Sequence, residues 1–181
     1  MTLKKLKKKM EIKDKKLQLY FFDESRFGTH SNIGHGWFKK GRRTQLPYNL
    51  GYKNFYLYSA VNPLNGNNLS LILPNVDTIN FNVFLKEFAK TTNNNNVILV
   101  VDGASWHRSK DLDIPNNIKI IIQPPYSPEL NPVEKLWQYI KRHTIKNRLF
   151  DKLDLIEDEI CKILNSTSKD QFMQICNVNY I

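Results

Sequence analysis

Three acidic residues occupy positions where a carboxylate is costly. Asp23 follows the apolar run Leu19-Tyr20-Phe21-Phe22, and Asp102 follows Val97-Ile98-Leu99-Val100-Val101. Glu134 lies in Asn131-Pro132-Val133-Glu134, shortly after a third apolar run from Ile118 to Ile122. A charge at the end of a buried strand loses hydration and is tolerated mainly where something positive compensates it. Three converging oxygen donors suit a hard divalent cation such as Mg²⁺, so the pattern points to a metal-dependent site. No Ser or Cys sits in a nucleophile motif. The stretch Gly36 to Arg43 fails the phosphate-loop pattern, because Arg42-Arg43 replaces Lys-Ser/Thr, so ATP is not implied.

Neighbouring acids compete for these roles. Asp23 and Glu24 are consecutive in a strand and point to opposite faces, so only one joins the site. Asp23 is the choice, since Phe22 and Glu24 share the other face. Glu134 has two readings. With Asn131 as N-cap and Pro132 at the first helical position, it falls where an acid completes a capping box and favours the helix dipole. The residues taken alone favour that cap, and a metal ligand is the other reading. Glu129 is a rival on the same loop, before the cap and free to face solvent.

The elements that must position these acids are legible from periodicity. Leu17 to Phe22 reads as a central strand ending at Asp23. Trp37 to Arg43 and Asn54 to Val61 read as the next strands, and Asn62-Pro63-Leu64-Asn65-Gly66 supplies a hairpin turn before Leu69 to Leu73. Ile79, Val83, Phe84 and Phe88 recur at helical spacing after a cap at Asp77. Val97 to Val101 and Ile118 to Ile122 are buried strands, the first expected to be parallel to an earlier one. Leu130, Val133, Leu136, Trp137 and Ile140 mark a helix running to about Lys146, and Leu153, Ile156, Ile160, Ile163 and Leu164 mark a closing helix. Trp37, Trp106 and Trp137 are assigned to the core. The expectation is one α/β domain over residues 17–181, preceded by a basic arm over residues 1–16.

Charge narrows the partners. The chain carries a net +10 over 181 residues. Residues 1–16 hold eight Lys against Glu11 and Asp14, while the stretch from Asp151 onward is acidic. The middle region, which contains the three marked acids, is therefore itself basic, as a site acting on a polyanion would be. No apolar stretch approaches the roughly 20 residues that cross a bilayer, and the N-terminus lacks the apolar core of a secretory signal. Cys161 and Cys176 fit no metal-finger spacing and suit reduced thiols in a cytoplasm. Lys135, Lys141, Arg142, Lys146 and Arg148, with no acid between 135 and 150, form a basic helix flank fit to track a DNA backbone. Lys39, Lys40, Arg42 and Arg43 form a second candidate DNA contact, Tyr126 a third. His107, five residues after Asp102, is either a group that orients phosphate or water, or a structural histidine.

The phrases Phe-Asp-Glu-Ser at Asp23, Val-Asp-Gly-Ala-Ser-Trp-His at Asp102 and Pro-Pro-Tyr-Ser-Pro-Glu-Leu-Asn-Pro-Val-Glu-Lys-Leu-Trp at Glu134 resemble the catalytic domain of mariner-like bacterial insertion-sequence transposases. The resemblance spans roughly residues 17–150. It implies a ribonuclease H-like fold, a mixed sheet of antiparallel meander and parallel strands flanked by helices. It also implies that Asp23, Asp102 and Glu134 hold two Mg²⁺ or Mn²⁺ ions for phosphodiester cleavage and strand transfer at the ends of a mobile element. DNA is then the partner, with a homodimer and a separate helix-turn-helix polypeptide as further expectations. Gly103 stands where many relatives carry Asn. The competing readings are a non-catalytic DNA-binding fragment of a transposase and a related metal-dependent nuclease.

Overall fold

The structure is a computed structural model that describes residues 17–30, 39–41, 50–92, 95–125, 127–146 and 148–180. The expected basic arm, Trp37, Arg42, Arg43 and Tyr126 lie outside the described residues. Five strands form one sheet in the order β3-β2-β1-β4-β5, with β1 Leu17–His30, β2 Leu50–Val61, β3 Asn68–Leu73, β4 Asn96–Val101 and β5 Ile118–Ile122. β2 runs antiparallel to its neighbours β1 and β3, whereas β4 and β5 run parallel to β1. The helices are α1 Thr78–Thr91, α2 Val133–His143, α3 Leu153–Ser166 and α4 Lys169–Ile175. Among the described residues no helix is long and apolar enough to cross a membrane.

Alternation along β1 divides the core in two. Phe22 points to one face and packs with Tyr58, Phe81, Phe84, Phe88 and Leu99, which is the layer that α1 covers. Phe21 and Phe27 point to the other and pack with Leu136, Trp137, Ile140, Ile156, Ile160 and Phe172 beneath α2, α3 and α4. Each fully buried aromatic contributes roughly 2–3 kcal/mol relative to exposure, so both layers pull on the same central strand. α1 forms because Phe81, Phe84, Leu85 and Phe88 line one stripe, and because Asp77 caps it by accepting from the Asn80 N–H at 2.7 Å. The hairpin between β2 and β3 closes through an Asx turn in which Asn62 Oδ1 accepts from the Leu64 N–H, and Gly66 takes φ 68° against the Lys169 backbone.

Five expectations change. β1 does not stop at Asp23 but continues to His30, because β2 keeps pairing with it after β4 has ended. β2 starts at Leu50, four residues before the expected Asn54. Within the strand expected over Trp37 to Arg43, the described residues Lys39 to Gly41 form an exposed turn with Gly41 at φ 84°. α2 ends at His143 with Thr144 capping it, short of Lys146, and a fourth helix follows α3.

Candidate active site

The sheet itself levels the first two acids. The last rung between the parallel strands β1 and β4 joins Phe21 to Val100. Asp23 and Asp102 each lie two residues further on, so they share a height, Asp23 by strand alternation on the face that α2 covers and Asp102 one residue past the end of β4. Glu134 arrives from the start of α2, which is fastened to β1 beside them. Asn131 donates from Nδ2 to the Phe22 carbonyl at 2.9 Å and accepts from the Val133 N–H at 3.1 Å. The expected capping box does not form: the Asn131 N–H goes to the Pro128 carbonyl at 2.9 Å instead. Glu134 is thereby left to the cleft.

All three acids line one open cavity of about 460 Å³, together with Arg108, Gln123 and Asn131. Among the described residues, however, no three His, Cys, Asp or Glu side chains stand close enough to hold one ion together.

The surroundings treat the two aspartates in opposite ways. Burial pushes the Asp23 carboxyl up to about 7, and the charges of Glu134 and Glu24 add to it. Opposing them, the Trp137 indole N–H donates to Asp23 Oδ2 at 2.8 Å. Asp102 is instead held below the usual carboxylate range, chiefly by His107, whose Nδ1 lies 2.7 Å from Asp102 Oδ1. The Ala104 N–H adds a second bond to the same oxygen at 3.1 Å, and Arg108 adds its charge. His107 is buried, and its Nε2 lies 3.0 Å from Glu24 Oε1. Burial pulls the imidazole down, but the two carboxylates outweigh it and push it up to about 9.

A family model described as DDE superfamily endonuclease matches residues 18–157, a span that contains all three acids. The chain belongs to that family. It is 36% identical over 111 residues to the uncharacterized protein y4pE/y4sA of Sinorhizobium fredii (strain NBRC 101917 / NGR234), covering 61% of this chain and 82% of that one. In fold it is similar to the Mos1 transposase paired-end complex with left transposon end, with a TM-score of 0.68 at 15% identity over 88% of this chain and 51% of the other. The Mos1 mariner paired end complex with Mn gives a TM-score of 0.70 at 15% identity, over 88% and 51%. The chain thus spans about half the length of the Mos1 chains it matches. Fold and family agree with the ribonuclease H-like mixed sheet that the motifs imply.

Around this DDE-family cleft the expected DNA contacts sort by exposure. Lys39, Lys40 and Arg142 are exposed. Lys135 is exposed as well but donates to the Asn177 carbonyl. Arg148 is engaged by Glu159 at 2.8 Å and lies over the Phe150 ring. Lys141 is half-buried over the Phe27 ring; burial draws its pKa down while Glu134 and Asp23 hold it up, which places it beside the acids. His107 is not a DNA contact: both ring nitrogens are taken by carboxylates and the side chain is fully buried. Glu129 is exposed on a 3₁₀ turn, as expected of the rival acid.

Sequence reasoning missed four residues of the DDE-family site. Trp137 belongs to the core as expected, yet its N–H serves Asp23. Glu24, set aside as the acid on the wrong face, receives His107 and also the Trp106 N–H at 3.2 Å. Arg108 lines the cleft, and a Cβ on Gly103 would stand 2.6 Å from its Nη2, so glycine at 103 gives the guanidinium room. Gln123 follows β5, donates to the Ser127 carbonyl, and has its buried Oε1 unpartnered among the described residues, an acceptor that a donor entering the cleft would satisfy. Arg108 and Gln123 carried a signal, since each lies close to a strand that ends at the site.

Proposed function

We propose that this chain is the catalytic domain of a DNA transposase that cuts phosphodiester bonds at the ends of a mobile element and joins them to target DNA. The observation that carries this reading is the level placement of Asp23 and Asp102 on adjacent parallel strands, facing a cleft that Glu134 enters from α2.

The donor set fits divalent ions. All three side chains offer hard oxygen, and Asp23, whose carboxyl burial pushes up to about 7 with the charges of Glu134 and Glu24 adding to it, is a carboxylate that a cation would stabilise. Mg²⁺ is commonly held by one or two carboxylates plus substrate phosphate, so two ions sharing Asp23, Asp102 and Glu134 would not require a three-acid cage. Such ions, when bound, activate the attacking water or 3′-hydroxyl and stabilise the leaving oxygen.

The chain's own residues supply the rest. Trp137 and His107 orient one oxygen of each aspartate, Asn131 anchors the helix that presents Glu134, and Arg108 and Lys141 bring positive charge to a phosphate backbone. Lys39, Lys40 and Arg142 extend that attraction along the surface. A paired assembly on DNA and end recognition by a helix-turn-helix polypeptide complete the proposal.

The test is nicking of supercoiled plasmid DNA in Mg²⁺ or Mn²⁺. Asp102→Ala should abolish it, by about three orders of magnitude or more, since the aspartate would anchor several kcal/mol of transition-state stabilisation. Cleavage retained in that variant would falsify the assignment. Salt-sensitive DNA binding without metal-dependent nicking in the wild type would favour the non-catalytic fragment, and cleavage without joined products the simple nuclease.

A further inference from the structure

We propose that Glu24 is a positioning residue that acts through the buried His107 ring to fix the Asp102 carboxylate, committing Oδ1 inward and leaving the other oxygen to the cleft. The proposal rests on the reading of Asp102 as a metal ligand.

The geometry is a short chain of hydrogen bonds around the end of β4. Glu24 Oε1 accepts from two consecutive residues of one 3₁₀ turn, from Trp106 Nε1 at 3.2 Å and from His107 Nε2 at 3.0 Å. On its far side His107 Nδ1 donates to Asp102 Oδ1 at 2.7 Å, and the Ala104 N–H donates to the same atom. Ionised carboxylates only accept, so both ring nitrogens carry hydrogen. The ring cannot turn away. It is fully buried and lies against Phe81 at 4.6 Å and Phe22 at 5.6 Å between centroids.

Stability alone does not account for this arrangement. The Glu24 side chain is 6% exposed beside an aromatic layer, where well-packed apolar residues in place of both Glu24 and His107 would usually be as stable as the buried ion pair or more so. What the pair provides and an apolar residue cannot is a fixed direction for Asp102. The terminal torsion of an aspartate is broad, and its carboxylate would otherwise sample many orientations in an open cleft. Asp102 is half-exposed on its cleft side and, among the described residues, held only through Oδ1. Hydrogen-bonded partners of this kind typically change metal affinity or activity 10–100-fold when removed.

The experiment compares wild type, Glu24→Leu and Glu24→Gln in three readouts: Mn²⁺ affinity of the DNA-free protein from electron paramagnetic resonance of free Mn²⁺, thermal midpoint, and the kcat and KM of plasmid nicking. The expected result for Glu24→Leu is Mn²⁺ binding weakened roughly 10–100-fold and a matching fall in kcat, with the DNA KM nearly unchanged, alongside a lowered thermal midpoint because the His107 and Trp106 N–H groups lose their acceptor. Glu24→Gln, which keeps an acceptor for the Nε2 hydrogen, should fall between that variant and wild type. If Glu24→Leu fails to fold, Glu24→Gln decides alone. A lowered midpoint with wild-type Mn²⁺ affinity and kcat in a folded variant overturns the proposal and leaves the metal reading standing. Wild-type protein that binds Mn²⁺ no better than Asp102→Ala overturns both.

Discussion

Asp23 and Glu24 are neighbours on β1, yet the two layers of the molecule treat them in opposite ways. On the α1 face Glu24 meets two ring N–H donors and one of them is a buried imidazole held between carboxylates. On the α2 face Asp23 meets one indole N–H and a second acid, Glu134, with Lys141 beside them. One acid is satisfied by the fold and the other is left wanting a cation. A carboxylate kept in deficit by its own structure is the one available to an incoming ligand, whereas a saturated one can act only through the groups that saturate it.

The largest test of this contrast is Asp23→Asn. Nicking should fall by roughly three orders of magnitude, as for the other acids. Stability of the metal-free protein should move the other way. The Asp23 carboxyl sits at about 7 in the fold, against about 3.9 in an unfolded chain, so between those values the folded state binds the extra proton and stability falls as pH rises. Asn removes that loss, so the variant should gain on the order of 2 kcal/mol in melts at pH 8 and little at pH 4. A gain of equal size at both pH values would break the contrast.

The α1 face titrates in a separate window. His107 is raised to about 9 from about 6.5, so the stability it contributes is fully present below about pH 6.5 and is lost as pH climbs through 9. Melts of Asp23→Asn protein between pH 6.5 and 10 should show that second decline, on the order of 2 kcal/mol, and Glu24→Leu should flatten it. The smallest effect is expected from Lys141→Ala. Losing one backbone contact lowers the salt slope of DNA binding by about one and weakens binding alike for all sequences. An unchanged slope would remove Lys141 from the DNA-facing set.

Much of this site could be read from the chain because burial and charge conflict visibly there. Apolar runs that end in Asp23 and Asp102 located two strands, and alternation chose Asp23 over Glu24 correctly for the α2 face. The continuation of β1 past Asp23 was less visible, since its second half alternates Ser25, Phe27 and Thr29 inward with Arg26 and His30 outward, a one-sided pattern unlike the run before it. α4 carried a readable signature in Ser168 and Gln171, which form a reciprocal capping box, but seven residues leave too little periodicity to be noticed. The bond between His107 and Asp102 spans only five residues, but those from His107 to Glu24 and from Trp137 to Asp23 were beyond any local pattern. They span 83 and 114 residues, and only the folded sheet brings the partners into reach.

The length of β1 beyond the acids sets a scale of its own. Past its last rung with β4, β1 continues from Glu24 to His30 as a ribbon paired with β2, and from Phe27 onward the ribbon also runs past the end of β3. At about 3.3 Å per residue that ribbon reaches roughly 23 Å from Asp23. A duplex laid along it with one phosphate at the cleft would be followed for about seven base pairs at 3.4 Å each. On the proposed function, a grip on DNA at the far end of the ribbon would set how far away the strand is cut.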